Sequence, residues 1–328
     1  MVNVSLGGQK NAAGDANAMF IRQFAGEVSV AFEEANLMLD LTRVRTISQG
    51  RAAQFPITGR SAAKYHQPGE SLIDGQDAAS ADYLKQIQVT EALVNIDDLL
   101  VASCLIDNLD EMKSHWDYRG PFAQELGRAL ANELDRNIIR SMWQSAGGAA
   151  QAQNPAGMGS VNMGGANIAA VTSAELVAAF YDAAAKCDAN DLPVAGRFAV
   201  VQPDVYYRLI QDSTGIGAAV NRDYDAAGSV SKGQVVEFAG FKIHNSQHIK
   251  DCQEDYTDPA GAKNTYTGDM SLTGGIFGHE EAVATAKLQD IKVESDYLVE
   301  RQATLFAATL ACGSAPLRHD AAGYFKFA

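Results

Sequence analysis

A chain of 328 residues, 47% hydrophobic and 20% charged, has the composition of a folded protein able to bury a sizeable core as one large domain or two. Its net charge of −14 leaves no basic footprint for gripping a polyanion, and no run approaches the roughly eighteen apolar residues of a membrane span. A tight nucleic-acid-binding surface and a membrane-crossing helix are therefore excluded. The first residues, MVNVSLGGQKNAAGDANAMF, lack the basic-then-apolar pattern of a secretory signal, which points to a cytoplasmic setting. Cys104, Cys187, Cys252 and Cys312 are far apart with no C-x-x-C unit, so they read as reduced packing residues rather than as a zinc or disulfide framework.

Residues 1 to about 17 are too small and polar to bury anything and read as an arm. From Met19, Phe20, Phe24, Val28 and Phe32 recur every four residues, the spacing of an amphipathic helix with Gly26 as its weak point. Two β-forming stretches follow. Val44, Ile47, Phe55 and Ile57 mark the first, and Ile87, Val89, Val94 and Ile96 the second. The insert between them has few large apolar side chains, Tyr65, Leu72, Ile73 and Tyr83 among them. It cannot form a core of its own, and so long a connection needs a function or a partner surface. Packing on another subunit explains it best.

GPFAQELGRALANELDRNIIRSMWQSAGG, residues 120–148, reads as a long helix over 121–146. Pro121 sits in its first turn and the Gly147–Gly148 pair closes it. At 1.5 Å per residue it is about 39 Å long. Phe122, Leu126, Leu130, Leu134, Ile138 and Met142 lie four apart, so their stripe winds around the helix and its two ends bury different faces. A Gly/Asn/Ala-rich stretch near residues 149 to 170 reads as a linker and as the best boundary in the chain. Thr172 and Glu175 have capping-box spacing for the next helix. RFAVV reads as a buried strand, PDVYYRLIQD as a short helix, and QVVEFAGFKIHNS as a hairpin turning at Ala239–Gly240. Residues 250 to 270 read as a polar loop, with closing strands after it.

Little in the sequence carries chemistry. GMGSVNMGG has glycines but neither the lysine nor the preceding strand of a phosphate-binding loop. No G-x-S-x-G elbow and no H-E-x-x-H pair occurs. His244, His248 and Cys252 would share one face if helical and suit zinc, but they follow a hairpin and read as strand into loop, which aims them apart. Asp251, Glu254, Asp255 and Asp258 miss the ligand order of a calcium loop and read as a solvated acidic segment. Lys64 has no assignable partner. No catalytic, cofactor or metal residue is assigned.

At VRTISQGRAAQFPITGRSAAKYHQPGESL, NIDDLLVAS, DEMKSHWDYRGPFAQELGRALANELDRNI and LRHDAAGYF the chain resembles the major capsid proteins of short-tailed phages of the autographivirus (T-seven-like) kind. GRAAQFPITGR with PGESL, and LGRALANELD, are the most specific segments. The resemblance implies an α+β tailed-phage (HK-ninety-seven) shell fold with an N-terminal arm, an extended β-hairpin loop, a long spine helix with a peripheral β-sheet, and a mixed α/β axial domain. Its parts would be the arm at 1–42, the extended loop and flanking strands at 43–97, and the peripheral domain at 98–170 with the spine helix 121–146. The axial domain would cover 171–310, and a C-terminal segment, 311–328, would return to the peripheral domain. The loop itself, within residues 48 to 84, would lie over a neighbouring subunit through Phe55, Tyr65, Pro68, Leu72 and Ile73. The resemblance further implies a non-catalytic homo-oligomer of hexamers and pentamers, without cofactors or membrane. The shell would be assembled in the host cytoplasm with a scaffolding protein and a portal protein, and in the virion it would enclose double-stranded DNA without specific binding. An encapsulin-like nanocompartment shell is the alternative with the same fold; a cytoplasmic α/β enzyme with a site near His244 and Cys252 is the reading from another class.

Overall fold

In the computed structural model the described residues are 18–61, 63, 65–66, 68, 87–107, 119–151, 154–211, 237–258 and 263–328. The chain opens with two helices, α1 (Ala18–Ala35) and α2 (Met38–Leu41), followed by strands β1 (Arg43–Thr46) and β2 (Ala52–Thr58). The single strand expected over this region is interrupted at Gly50, whose φ of 125° turns the backbone through a conformation that favours glycine. Strands β3 (Val89–Asn95) and β4 (Leu100–Asp107) come next, then the long helix α3 (Arg119–Ala146). This helix begins two residues before the expected start, because Pro121 is tolerated anywhere in a first turn whose amides lack intrahelical acceptors.

The expected linker is not free of structure. It contains β5 (Ser160–Asn162), around which Met158, Val161 and Met163 are buried. Beyond it lie α4 (Ser173–Ala189), β6 (Arg197–Val201), α5 (Pro203–Gln211), β7 (Glu237–Phe238) and β8 (Phe241–Asn245). Thr172 Oγ1 accepts from Glu175 N while Glu175 Oε2 accepts from Thr172 N, which closes the expected capping box on α4. Ala239 and Gly240, with φ of 50° and 79°, make the β7–β8 turn. The chain then forms α6 (His248–Asp251), a two-stranded ribbon of β9 (Asp255–Tyr256) with β10 (Gly268–Asp269), and strands β11 (Thr273–His279), β12 (Val283–Leu298), β13 (Ala303–Pro316) and β14 (Ala322–Lys326).

Two larger sheets result. One has the order β1–β12–β13–β4 and the other β5–β14–β11–β6–β8–β7, while β2 and β3 pair only with each other. The expected division at residues 310/311 is not where the sheets divide. Strands β12 and β13 both belong with β1 and β4, and the terminal strand β14 crosses to the six-stranded sheet between β5 and β11. The physical reason is β13 itself. It runs unbroken to Pro316 opposite Val283, so the chain can leave the four-stranded sheet only after that residue.

Helix α3 is packed from both sheets. Towards α1 it presents Ala123, Gly127 and Ala131, and a Cβ at Gly127 would stand 2.5 Å from Val28 O and 3.1 Å from Phe32 N. Only a glycine lets the two backbones approach so closely. Phe24 of α1 stacks on Phe306 of β13 at 4.5 Å. At the other end of α3, Ser145 Oγ donates within reach of Ala282 O and Arg318 O, and Gly159 N bonds Ala146 O. There the core continues through Met142 into Phe277, Phe325 and Phe180, whose rings lie 4.8 Å apart in succession.

Asp135, fully buried in the middle of α3, explains where α1 and α2 separate. Its Oδ1 accepts from Asn36 Nδ2 at 2.8 Å and Met38 N at 3.2 Å, and its Oδ2 from Leu37 N at 3.0 Å. Asn36 Oδ1 in turn accepts from Leu39 N. The break therefore falls at residues 36–37, while α1 runs straight through Gly26, whose missing side chain would meet nothing. Burial pushes the Asp135 carboxyl up to about 6, against the lowering effect of the Leu37 and Met38 amides.

Two predictions follow from these contacts. Because the folded state holds the Asp135 proton more tightly than the unfolded chain, the group's contribution to stability is complete below about 3.8 and is lost as pH rises through about 6. Asp135→Asn removes that titration, so the stability difference should move in favour of the wild type by about 2–3 kcal/mol between roughly pH 7 and pH 4. Urea denaturation of the unassembled subunit at the two pH values checks this, and a constant difference contradicts it. Gly127→Val forces α1 off the spine and should cost about 2–3 kcal/mol by the same measurement; a neutral substitution would mean that the two helices are free to separate.

Candidate functional site

The β2–β3 ribbon belongs to neither of the two larger sheets. It is antiparallel from Ala52↔Asn95 to Thr58↔Val89, and the period-two alternation of β2 puts Ala53, Phe55 and Ile57 on one face. That face, with Val94 and Ile96, is buried on Ala284, Ala286, Ala311 and Leu317 at the base of the four-stranded sheet. Phe55 is thereby corrected. Expected on an inter-subunit surface, it is only 3% exposed and packs within its own chain, with the Arg45 guanidinium 5.8 Å from its ring. Tyr65, 99% exposed, and Pro68 stand on the outside. Leu72, Ile73 and Lys64 lie outside the described residues.

Where the ribbon leaves the body, Arg60 clamps it. One guanidinium nitrogen lies 3.1 Å from Asp191 Oδ2; the other donates to Asn190 O and lies 3.6 Å from Asp320 Oδ2. Asp320 is buried and already holds Arg318 through both oxygens, at 3.2 and 2.8 Å. These hydrogen bonds and the Glu281 carboxylate push the Arg318 guanidinium further up. Asn190 Nδ2 completes the cluster by donating to Asp320 O. Arg60 carries no role in the sequence reading, although it closes the GRAAQFPITGR segment that the resemblance singles out.

The other root of the ribbon is held by the segment read as a polar loop. Asp97 Oδ1 accepts from Lys263 N, Asn264 N and Asn264 Nδ2, and its Oδ2 accepts from the Tyr266 hydroxyl. Burial, followed by the Asp97 charge and hydrogen bond, pushes the Tyr266 phenol up. Asn264 also pairs with the backbone of Asn95 at the end of β3. The same segment docks on α3: Asp251 meets Arg136 at 3.0 Å, Glu254 meets Arg140 at 3.4 Å, and Arg140 lies 3.5 Å above the Tyr256 ring. The described residues of this segment, 250–258 and 263–270, are thus tied to α3 and to the ribbon rather than forming a free acidic loop. Asp251 and Glu254 are paired with the spine, and Asp258 accepts from Tyr266 N and Thr267 Oγ1. Asp255 opens β9 and is exposed.

The spine residues fall into two groups. Leu126, Leu130, Leu134, Ile138 and Met142 are buried, whereas Phe122 at the helix start is 40% exposed. His244, His248 and Cys252 do not converge. His244 lies in β8, and His248 opens α6 instead of a loop, with its Nε2 3.7 Å from Asp135 Oδ2. Cys252 is the buried C-cap of that helix, its thiol pushed up to about 11 by burial. Desolvation lowers both histidines, so each is held towards its neutral form. No group of three or more metal-ligating side chains occurs among the described residues.

A long helix shared by two sheets, flanked by a ribbon clamped at both roots, is the architecture of a tailed-phage capsid subunit. The chain matches the capsid structure of Cyanophage P-SCSP1u with a TM-score of 0.75 and 32% identity, over 100% of this chain and 99% of that one. The mature capsid of bacteriophage PhiM1 shares the fold at a TM-score of 0.68 and 17% identity, over 89% and 87%. The chain belongs to the Gp10A-like family of major capsid proteins, which matches residues 54–326. It is 30% identical to the major capsid protein of Escherichia phage T7, over 96% of this chain and 94% of that protein, and 29% identical to that of Enterobacteria phage T3, over 96% and 93%. The protein is a structural phage capsid subunit and not an enzyme. A virus-like particle from Pyrococcus furiosus has the same fold at 11% identity and a TM-score of 0.54, which does not favour a nanocompartment over a phage shell.

The clamp yields a prediction with unequal halves. Arg60→Ala removes a third-exposed partner and should cost about 1 kcal/mol or less, because solvent screens such pairs. Asp320→Ala removes the buried carboxylate that holds Arg318 through both oxygens, leaving Arg318 only Glu281 and Arg60 only Asp191 and Asn190 O, and should cost about 3 kcal/mol. Thermal unfolding of the two variants compares them, and equal losses would contradict the assigned geometry.

Proposed function

We propose that this subunit forms the hexamers and pentamers of an icosahedral phage head. The shell encloses double-stranded DNA without specific binding, and it is built in the host cytoplasm with a scaffolding protein and a portal protein. The observation that carries this reading is the ribbon. Its roots are locked to the body by Arg60 and Asp97, while Tyr65 and Pro68 beyond the first root are exposed. A rigidly held base with outward-facing residues suits a loop that reaches over a neighbouring subunit. Tyr65, Pro68, Leu72 and Ile73 are its proposed contacts, within the proposed loop at residues 48–84.

The remaining parts take their roles from the same reading. Residues 1–42 are the arm, α3 with the four-stranded sheet is the peripheral domain, and the six-stranded sheet with α4 and α5 is the axial domain. Net charge supports the container. A chain of net charge −14 suits a container that should not adsorb the polyanion packed into it, and stability of the particle arises from many repeats of a modest contact.

Removing residues 62–84 and bridging the gap with a short Gly/Ser linker leaves Arg60 and the ribbon in place. The subunit is expected to keep its melting temperature while forming no closed shells in electron micrographs. Shells of normal size from this variant would refute the role of the loop.

A further inference from the structure

The two sheets finish their edges differently. At the β5 edge of the six-stranded sheet, Lys186 Nζ donates to Met158 O and Ser160 O at 2.9 Å each, so a lysine occupies carbonyls that another strand would use. At its opposite edge β7 is only two residues long. The four-stranded sheet ends on β4, which is paired along its whole length with β13, from Leu100↔Leu310 to Asp107↔Ala303. No further strand flanks it among the described residues.

This edge carries a charge only at its last residue, Asp107. Residues 99–106, LLVASCLI, include no charge, proline or glycine, and such an uncharged strand edge is a template for pairing with another chain. Its exposed positions are Val101, Ser103, Leu105 and Asp107, and Leu99, Val101 and Leu105 are each more than 40% exposed, as are Ile87, Val89 and Leu93 in the stretch before it. The opposite face of β4 is already used, since Ala102, Cys104 and Ile106 pack into the main core.

We propose that the β4 edge is a pairing site for a second copy of this chain: a strand of the neighbour runs along residues 100–106, extends the four-stranded sheet and covers Val101 and Leu105. The proposal rests on the shell-subunit reading, in which every border of a subunit meets another copy. It assigns that contact to a surface separate from the loop at 62–84. Of the four edges of the two larger sheets, β5 is closed by a lysine, β7 is two residues long, β1 is short and carries Arg43 and Arg45, and β4 is long and almost uncharged, which is the distribution expected when the β4 edge is covered in the working particle.

Hydrogen exchange on wild-type protein tests this directly. Amides 101–106 should exchange at least about tenfold more slowly in assembled shells than in unassembled subunits. A Val101→Lys/Leu105→Lys variant should keep the wild-type circular dichroism and melting temperature and lose shell yield by about tenfold or more. A photo-cross-linker in place of Ser103 should join to a peptide of the same chain. Unchanged exchange, normal shells from the double-lysine variant, or cross-links only to a different protein would each overturn the proposal. The loop variant keeps the two readings apart: shells that form without residues 62–84 but still protect 101–106 remove the loop's role and leave the edge, and the converse result removes the edge alone.

Discussion

One buried carboxylate determines how the front of the chain meets the rest. Asp135 has no exposed surface, so its acceptor oxygens must be satisfied within the protein. The donors come from Asn36, Leu37 and Met38, nearly a hundred residues earlier, and His248 approaches from the opposite direction in sequence. Helix α3 therefore serves as a beam around which the other segments are fixed. Along the beam Gly127 permits the closest approach to α1, Leu130 and Leu134 fill the middle, and Met142 reaches the six-stranded sheet.

The ribbon depends on the same beam at one remove. Its buried face lies on the base of β12 and β13, and its second root is fastened by Asp97 to a segment that grips α3 through Arg136, Arg140 and the carbonyl of Thr267. Polar contacts of this kind contribute little individually when exposed. Here several converge on half-buried groups, and their effect is to define a direction for the ribbon rather than to supply most of the stability. Apolar burial in the second core does the latter.

Features with local causes were legible in the sequence. Pro121 and Gly147 bound the long helix to within two residues of its start and at its end, Thr172 and Glu175 close their capping box, and Ala239–Gly240 turn the hairpin. The missed features have distant causes. The helix break at residues 36–37 is made by Asp135, and β5 is hidden among glycines and asparagines because its order comes from β14. Residues 250 to 270 appear solvated until Arg136 and Arg140 are placed beside them. Phe55 was misassigned for a related reason: alternation shows that it faces something, but not whether that surface belongs to its own chain or to a neighbour's. At the candidate site the specific segment around Arg60 was visible, while its acceptors Asp191 and Asp320 lie in parts of the chain that no spacing connects to it.

The β12–β13 hairpin is paired almost from end to end, but its register shifts between Lys287 and Gln289 and again between Gln289 and Lys292. Such irregularities locally disrupt the ladder and bend the strand. Below them the hairpin is held by the second core; beyond them its outer face carries the exposed Lys292, Glu294 and Asp296. The bend therefore sits at the border between two packings, with the residues before it lying on the second core and Ile291 and Val293 beyond it lying against the main core.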